Sequence, residues 1–127
     1  MVEALKKHHI SFKNAFAGLY YAITSQPNFK VHCFLALVAL MAGFFLRASF
    51  VEMTILILTI IIGLAVEMAN TAIESVTDLV TEEWRESAKI AKDVSAGMML
   101  LTAAGAVLVA FLILGPKIAE RLLWRFF

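Results

Sequence analysis

Beyond residue 30 the chain alternates long apolar runs with short polar breaks. Residues 31–46 and 53–66 carry no acid, lysine or arginine, and 94–114 continues in the same way. The first two runs are a little short of the roughly 20 residues a spanning helix needs, and the third reaches that length. In lipid the backbone leaves only helix or closed barrel. The pattern therefore predicts an all-α integral membrane chain with three transmembrane helices, at about 29–47, 50–80 and 90–115 of a single domain, residues 1–127.

The connections support this plan. Leu5, Phe12, Phe16, Leu19, Tyr20 and Ile23 recur at helical spacing, with Lys6, Lys7, Lys13 and Asn14 between them. That spacing predicts an amphipathic helix over 3–25, lying on a membrane surface. Ser25-Gln26-Pro27-Asn28 breaks it. Arg47-Ala48-Ser49 forms a tight turn, and Ser49-x-x-Glu52 is a capping-box signature for the second span. The connection 81–92 is charged, and Thr81, Glu82 and Glu83 read as the start of a further helical turn. Gly115-Pro116 is expected to stop the last span, leaving 116–127 as an interfacial tail anchored by Trp124. Ser95, Ala96, Gly97, Ala103, Ala104, Gly105 and Ala106 are expected to pack tightly inside the bundle.

One span ends differently from the others. Glu67, Asn70, Glu74 and Asp78 follow the apolar run 53–66 at steps of three, four and four residues. At about 3.6 residues per turn those steps keep all four on one stripe. Ionisable groups in a membrane segment are costly and usually functional. Fourteen apolar residues cover about 21 Å, so Glu67 falls inside the boundary of a core about 30 Å thick.

Composition narrows the classes. The chain is 61% hydrophobic and 17% charged, with net charge +1 and a mean hydropathy of +0.86. With no basic block, nothing favours nucleic acid. Cys33 is the only cysteine and reads as packing. The first apolar run starts too late, and without a small-residue cleavage site, for a cleavable signal peptide. With the N-terminus in the cytosol, Lys6, Lys7, Lys13, Lys30, Arg85, Lys89 and Lys92 lie inside and Arg47, Lys117, Arg121 and Arg125 outside. That bias puts the N-terminus and the stripe on the cytosolic side of a bacterial-type inner membrane.

Glu67 and Glu74 are seven residues apart, about 10 Å along a helix axis, too far to clamp one ion easily. A division of labour follows, the deeper acid acting on a lipid group and the outer one holding a metal beside cytosolic phosphates. Mg²⁺ takes one or two carboxylates plus phosphate oxygens. Proton removal from an alcohol suits a carboxylate held partly out of water. A packing role is the bland alternative, with Asn70 bridging helices and the acids paired to Lys89 or Lys92. Lys92-Asp93 at the mouth of the last span either binds a phosphate and helps organise a metal or is a solvated helix start.

The run Glu67-x-x-Asn70-Thr71-Ala72-Ile73-Glu74-x-x-x-Asp78, followed by Ala91-Lys92-Asp93-x-x-Ala96-Gly97, closely resembles the prokaryotic diacylglycerol kinase family, which includes the undecaprenol kinases. Ser11-Phe12, Ala15, Gly18 and Asn28-Phe29-x-x-His32 extend the resemblance over nearly the whole chain up to about Pro116. It implies a homotrimer with composite active sites, and transfer of the γ-phosphate of MgATP to the hydroxyl of diacylglycerol or undecaprenol. By matching positions, Glu67 is the catalytic base, supported by Asn70, and Glu74 is the metal ligand and a nucleotide contact. Lys92, Asp93, Glu83 and Arg85 bind ATP, Ala96 borders the lipid site, and Asp78 supports the cluster. Asn70–Glu74 and the Asn28-Phe29 entry look nearer the undecaprenol kinases.

Gln26 stands where relatives usually carry a second, glutamate metal ligand, so metal affinity is expected to fall. No P-loop or Gly-rich kinase loop is present, so ATP must be held by helix-borne side chains. Two other classes compete: a small oligomeric proton- or ion-coupled transporter and a non-catalytic membrane subunit. A transporter needs a polar path across the bilayer, and only Thr54 and Thr59 continue the polar positions outward.

Overall fold

The computed structural model describes residues 2–123, with side chains from residue 10 onward. Trp124 and the end of the expected tail lie outside the described residues, as do the side chains of Leu5, Lys6, Lys7, His8 and His9. Four helices follow in order: α1 (Val2–Ser25), α2 (Pro27–Phe45), α3 (Phe50–Val80) and α4 (Glu86–Leu123). Three of them, α2, α3 and α4, are long and apolar enough to cross a membrane. At 1.5 Å per residue, the 19 residues of α2 cover about 29 Å, close to one hydrocarbon core. The 31 residues of α3 extend to about 46 Å, so α3 outruns the core and carries its acids out at one end.

Local chemistry sets each boundary. Pro27 opens α2 and holds Gln26 extended at φ −99°, ψ 110°, because the residue before proline is pushed out of the helical region. The turn after α2 is a Schellman motif: Ala48 N donates to Gly43 O at 2.8 Å and Arg47 N to Phe44 O at 3.1 Å. Its left-handed position falls to Arg47, at φ 55°. Ser49 then caps α3 in a complete capping box, donating from its backbone to Glu52 Oε2 at 2.6 Å and accepting from Glu52 N at 3.3 Å. Glu52 thus fills the capping role its spacing predicts.

Helix α3 packs against both α2 and α4. Gly43 is buried where α2 meets α3, and a Cβ there would lie 2.6 Å from Met53 Sδ and 3.3 Å from Leu56 Cδ1. Only Ala22, Phe29, Leu56 and Leu114 are buried apolar residues among those described. Most of the other large apolar side chains are exposed, on every helix, as a chain solvated by lipid requires.

Three expectations change. The last helix does not stop at Gly115-Pro116; it runs on to Leu123 with Pro116 inside it. An interior proline costs about 3 kcal/mol, and contacts on either side of the next turn hold the helix together. Lys117 Nζ lies 3.0 Å from Glu52 Oε2, and Arg121 Nη1 donates to Phe45 O at 2.7 Å. Thr81 does not start a helix. It caps the end of α3, its Oγ1 accepts from Glu83 N at 3.1 Å, and α4 begins at Glu86. The small residues of α4 divide: Ser95 is packed inside the chain at 1% exposed, whereas a Cβ at Gly97 or Gly105 would meet nothing within 4 Å. The close approach is at Gly43 instead.

Candidate functional site

Burial falls along the α3 stripe from its deep end. Glu67 is 3% exposed and Asn70 6%, Glu74 is half-buried and Asp78 exposed. Thr71, four residues from Glu67 on the same face, is also buried. Asn70 Nδ2 donates to Glu74 Oε1 at 3.0 Å. That bond assigns the two ends of the amide and leaves Oδ1 as an acceptor, buried and without a partner among the described residues. An unsatisfied buried acceptor costs about 1–3 kcal/mol, so Oδ1 calls for a partner that the described side chains do not supply. The Glu67 carboxylate likewise forms no ion pair or hydrogen bond among the described residues, with His32 of α2 and Glu74 within electrostatic reach. Of the bland arrangement only half is adopted: Asn70 does not bridge helices, its bond staying within α3, but Asp78 of the stripe does pair with Lys92 of α4.

Helix α4 meets the outer end of the stripe. Lys92 Nζ pairs with Asp78 Oδ1 at 2.5 Å, joining the two helices, while Lys89 pairs with Asp93 one turn away. All four side chains are largely exposed, and such pairs are worth about 0–1 kcal/mol, so a phosphate can compete for Lys92. The five-residue connection between α3 and α4 makes the pair antiparallel. From the Lys92–Asp78 contact, Ala96 falls about level with Glu74, and so about 10 Å along the axis from Glu67. Ser95 is the most buried polar side chain, its hydroxyl donating to Lys92 O at 2.9 Å. Glu83 and Arg85 pair with each other at 3.5 Å in the exposed connection.

One chain therefore brings together Glu67, Asn70 and Glu74, and separately Asp78 with Lys92. Gln26 caps the start of α2 without a side-chain cap bond. Among the described residues no three His, Cys, Asp or Glu side chains converge as a metal site. For a divalent cation the stripe offers Glu74, one oxygen of which already accepts from Asn70. Gln26 contributes at most a neutral carbonyl. This set of hard oxygens fits Mg²⁺ completed by substrate phosphates, which needs only one or two carboxylates. It does not fit a closed protein cage.

Among the described residues, no polar path leads from the stripe to the other end. Thr54 and Thr59 donate to Phe50 O and Ile55 O, each at 2.8 Å, so both hydroxyls are spent on their own helix. The transporter alternative loses the residues it relied on. Thr71 and Ser95 were not singled out as site positions from sequence, although Thr71 shares the face of Glu67 by spacing. The nearness of His32 to Glu67 depends on how α2 and α3 pack, which spacing does not report.

Residues 13–114 match the family model described as prokaryotic diacylglycerol kinase. The chain is 40% identical to a diacylglycerol kinase of Synechocystis sp. over 110 residues, 86% of this chain and 63% of that protein. It is 33% identical to an undecaprenol kinase of Bacillus subtilis over 114 residues, 90% of this chain and 93% of that protein. A diacylglycerol kinase of Haemophilus influenzae is 32% identical over 83 residues, 65% of this chain and 70% of that protein. The matched region thus spans just under two thirds of the Synechocystis protein and nearly all of the Bacillus one.

Proposed function

The chain belongs to the prokaryotic diacylglycerol kinase family, and from that premise we propose that it is an integral membrane kinase transferring the γ-phosphate of ATP to the hydroxyl of diacylglycerol or undecaprenol. One observation carries the reading: a buried carboxylate, Glu67, and a buried unpartnered acceptor, Asn70 Oδ1, share a stripe with Glu74. Water is scarce at that depth, and a lipid hydroxyl is not.

In this reading Asn70, held by Glu74, offers the arriving hydroxyl its first acceptor. Glu67 takes the proton as the lipid oxygen attacks the γ-phosphorus. The bond from that phosphorus to the bridging oxygen of ADP breaks, and the proton later leaves Glu67 for solvent. Glu74, with the carbonyl of Gln26, would hold Mg²⁺, which when bound neutralises charge on the phosphate oxygens. Lys92 exchanges Asp78 for a nucleotide phosphate, and Asp93, Glu83 and Arg85 complete the ATP contacts. Asp78 restores the Lys92 pair once product leaves. Ala96, with no side chain beyond Cβ, leaves room at the lipid site.

The separation of levels favours sites shared between protomers of a homotrimer. Within one chain Glu67 lies about 10 Å along the axis from the level of Glu74 and about 16 Å from that of Asp78 and Lys92. The open space at Gly97 and Gly105 and the uncovered apolar faces support close contact with other copies. The exposed apolar side chains of α1, Phe12, Phe16 and Tyr20 among them, support a helix lying on the membrane surface. The seven-to-four bias of basic residues supports a cytosolic active site on the inner membrane. The test is the purified chain in bilayers with γ-labelled ATP and the two lipids in competition. Label is expected on at least one lipid, and its distribution names the acceptor; label on neither refutes the reading.

A further inference from the structure

A cavity of about 460 Å³ opens at the end of the bundle opposite the acidic stripe. It lies between the α2–α3 turn and the last turns of α4, lined by Phe45, Leu46, Arg47, Lys117, Glu120 and Arg121. Its α4 wall lies beyond residue 114, where the family match ends, so the catalytic reading does not account for it. The wall is fixed in place. Arg121 donates one guanidinium N–H to Phe45 O at 2.7 Å, and Lys117 lies 3.0 Å from Glu52.

The charges do not cancel. Glu52 answers Lys117, which leaves Arg47 and Arg121 facing the single carboxylate of Glu120, a net of one positive charge. Arg47 makes no ion pair among the described residues. It is presented from a left-handed backbone position, φ 55°, that side chains other than glycine adopt at a cost. A guanidinium carries five donors in a planar fork that matches phosphate oxygens, and Arg121 has spent only one. Phe45 and Leu46 supply an apolar wall, and the neighbouring Phe44 and Phe50 are 75% and 87% exposed. A phosphate attached to acyl chains would meet matched surfaces on both counts.

We infer that this cavity is a second site, which binds a phosphate group of about one negative charge through Arg47 and Arg121. The phosphodiester of an anionic lipid headgroup and free phosphate share that chemistry, and the test separates them. The full chain is reconstituted in phosphatidylcholine vesicles containing a minority of phosphatidylglycerol. Lipid retained on gentle extraction is then identified by native mass spectrometry. Phosphatidylglycerol is expected to be retained in preference, with Arg47→Gln and Arg121→Gln each lowering that preference about fivefold. Glu120→Gln, which removes the opposing charge, is expected to raise it, a change of sign that a merely structural role does not produce. Arg121→Gln also removes the bond to Phe45. If that variant does not fold, Arg47→Gln and Glu120→Gln, which break no fixed contact, decide the matter.

Adding inorganic phosphate during extraction separates the two sources. Displacement of phosphatidylglycerol shows that soluble phosphate also enters the site, and resistance assigns the site to the headgroup. The inference is overturned if wild type retains neither phosphatidylglycerol nor phosphate above the level of Arg47→Gln, or if Glu120→Gln weakens retention.

Discussion

Two glutamates of α3 are treated in opposite ways. At one end Glu52 is fully engaged, accepting from Ser49 N and paired with Lys117. Every contact it makes closes a turn or holds a helix end. Near the middle of the helix Glu67 is 3% exposed and makes no ion pair or hydrogen bond among the described residues. Its neighbour Asn70 keeps a buried acceptor unpartnered. The contacts of Glu52 stabilise the fold, whereas Glu67 has no such contact. Under the proposed reading the same residue type serves architecture in one place and chemistry in the other.

The largest break in that comparison is expected at Glu67. Glu67→Gln keeps the shape and removes the base, so turnover in reconstituted bilayers should fall by about 10²–10⁴, while the unfolding midpoint holds or rises. The next effect is purely structural. Gly43→Val puts side-chain atoms against Met53 and Leu56, and overpacking of this kind costs about 1–3 kcal/mol. Chemical unfolding in detergent checks it, with the flexible Met53 setting how much is recovered. Smaller again is Ser49→Ala, which removes the α3 cap at about 1 kcal/mol and should leave turnover unchanged. The smallest change sharpens the catalytic end. Gln26→Glu restores a second carboxylate, so the Mg²⁺ concentration for half-maximal activity should drop several-fold, read by titrating Mg²⁺ against lipid phosphorylation.

Local rules were legible where the outcome depends on neighbours in the chain. Ser49-x-x-Glu52 is a capping box in sequence and in space, and Pro27 divides α1 from α2 as proline must. The stripe Glu67–Asn70–Glu74 follows from helical spacing alone, and its depth from the apolar run before it. What was misread depends on partners far away in sequence. Pro116 reads as a stop, yet Lys117 and Arg121 find Glu52 and Phe45 across the bundle and carry α4 to Leu123. Thr81-Glu82-Glu83 has the residues of a helix start, but Thr81 is used to end α3. The approach of His32 to Glu67 arises from packing that no local pattern encodes, whereas pairing of a stripe acid with Lys92, found at Asp78, was one of the alternatives the charges offered. Of the small residues of α4, Ser95 is packed by the chain's own helices, while Gly97 and Gly105 face open space.

The expectation is that Glu67 serves chemistry and that Glu52, through Ser49 and Lys117, serves structure. It is tested most directly by measuring lipid phosphorylation and unfolding midpoint on the same preparations of wild type, Glu67→Gln and Glu52→Gln. The account predicts a crossover: Glu67→Gln loses turnover and keeps its midpoint, while Glu52→Gln loses midpoint and keeps its turnover. If Glu67→Gln retains wild-type turnover, or if both variants lose stability and activity together, the division between the two glutamates is contradicted.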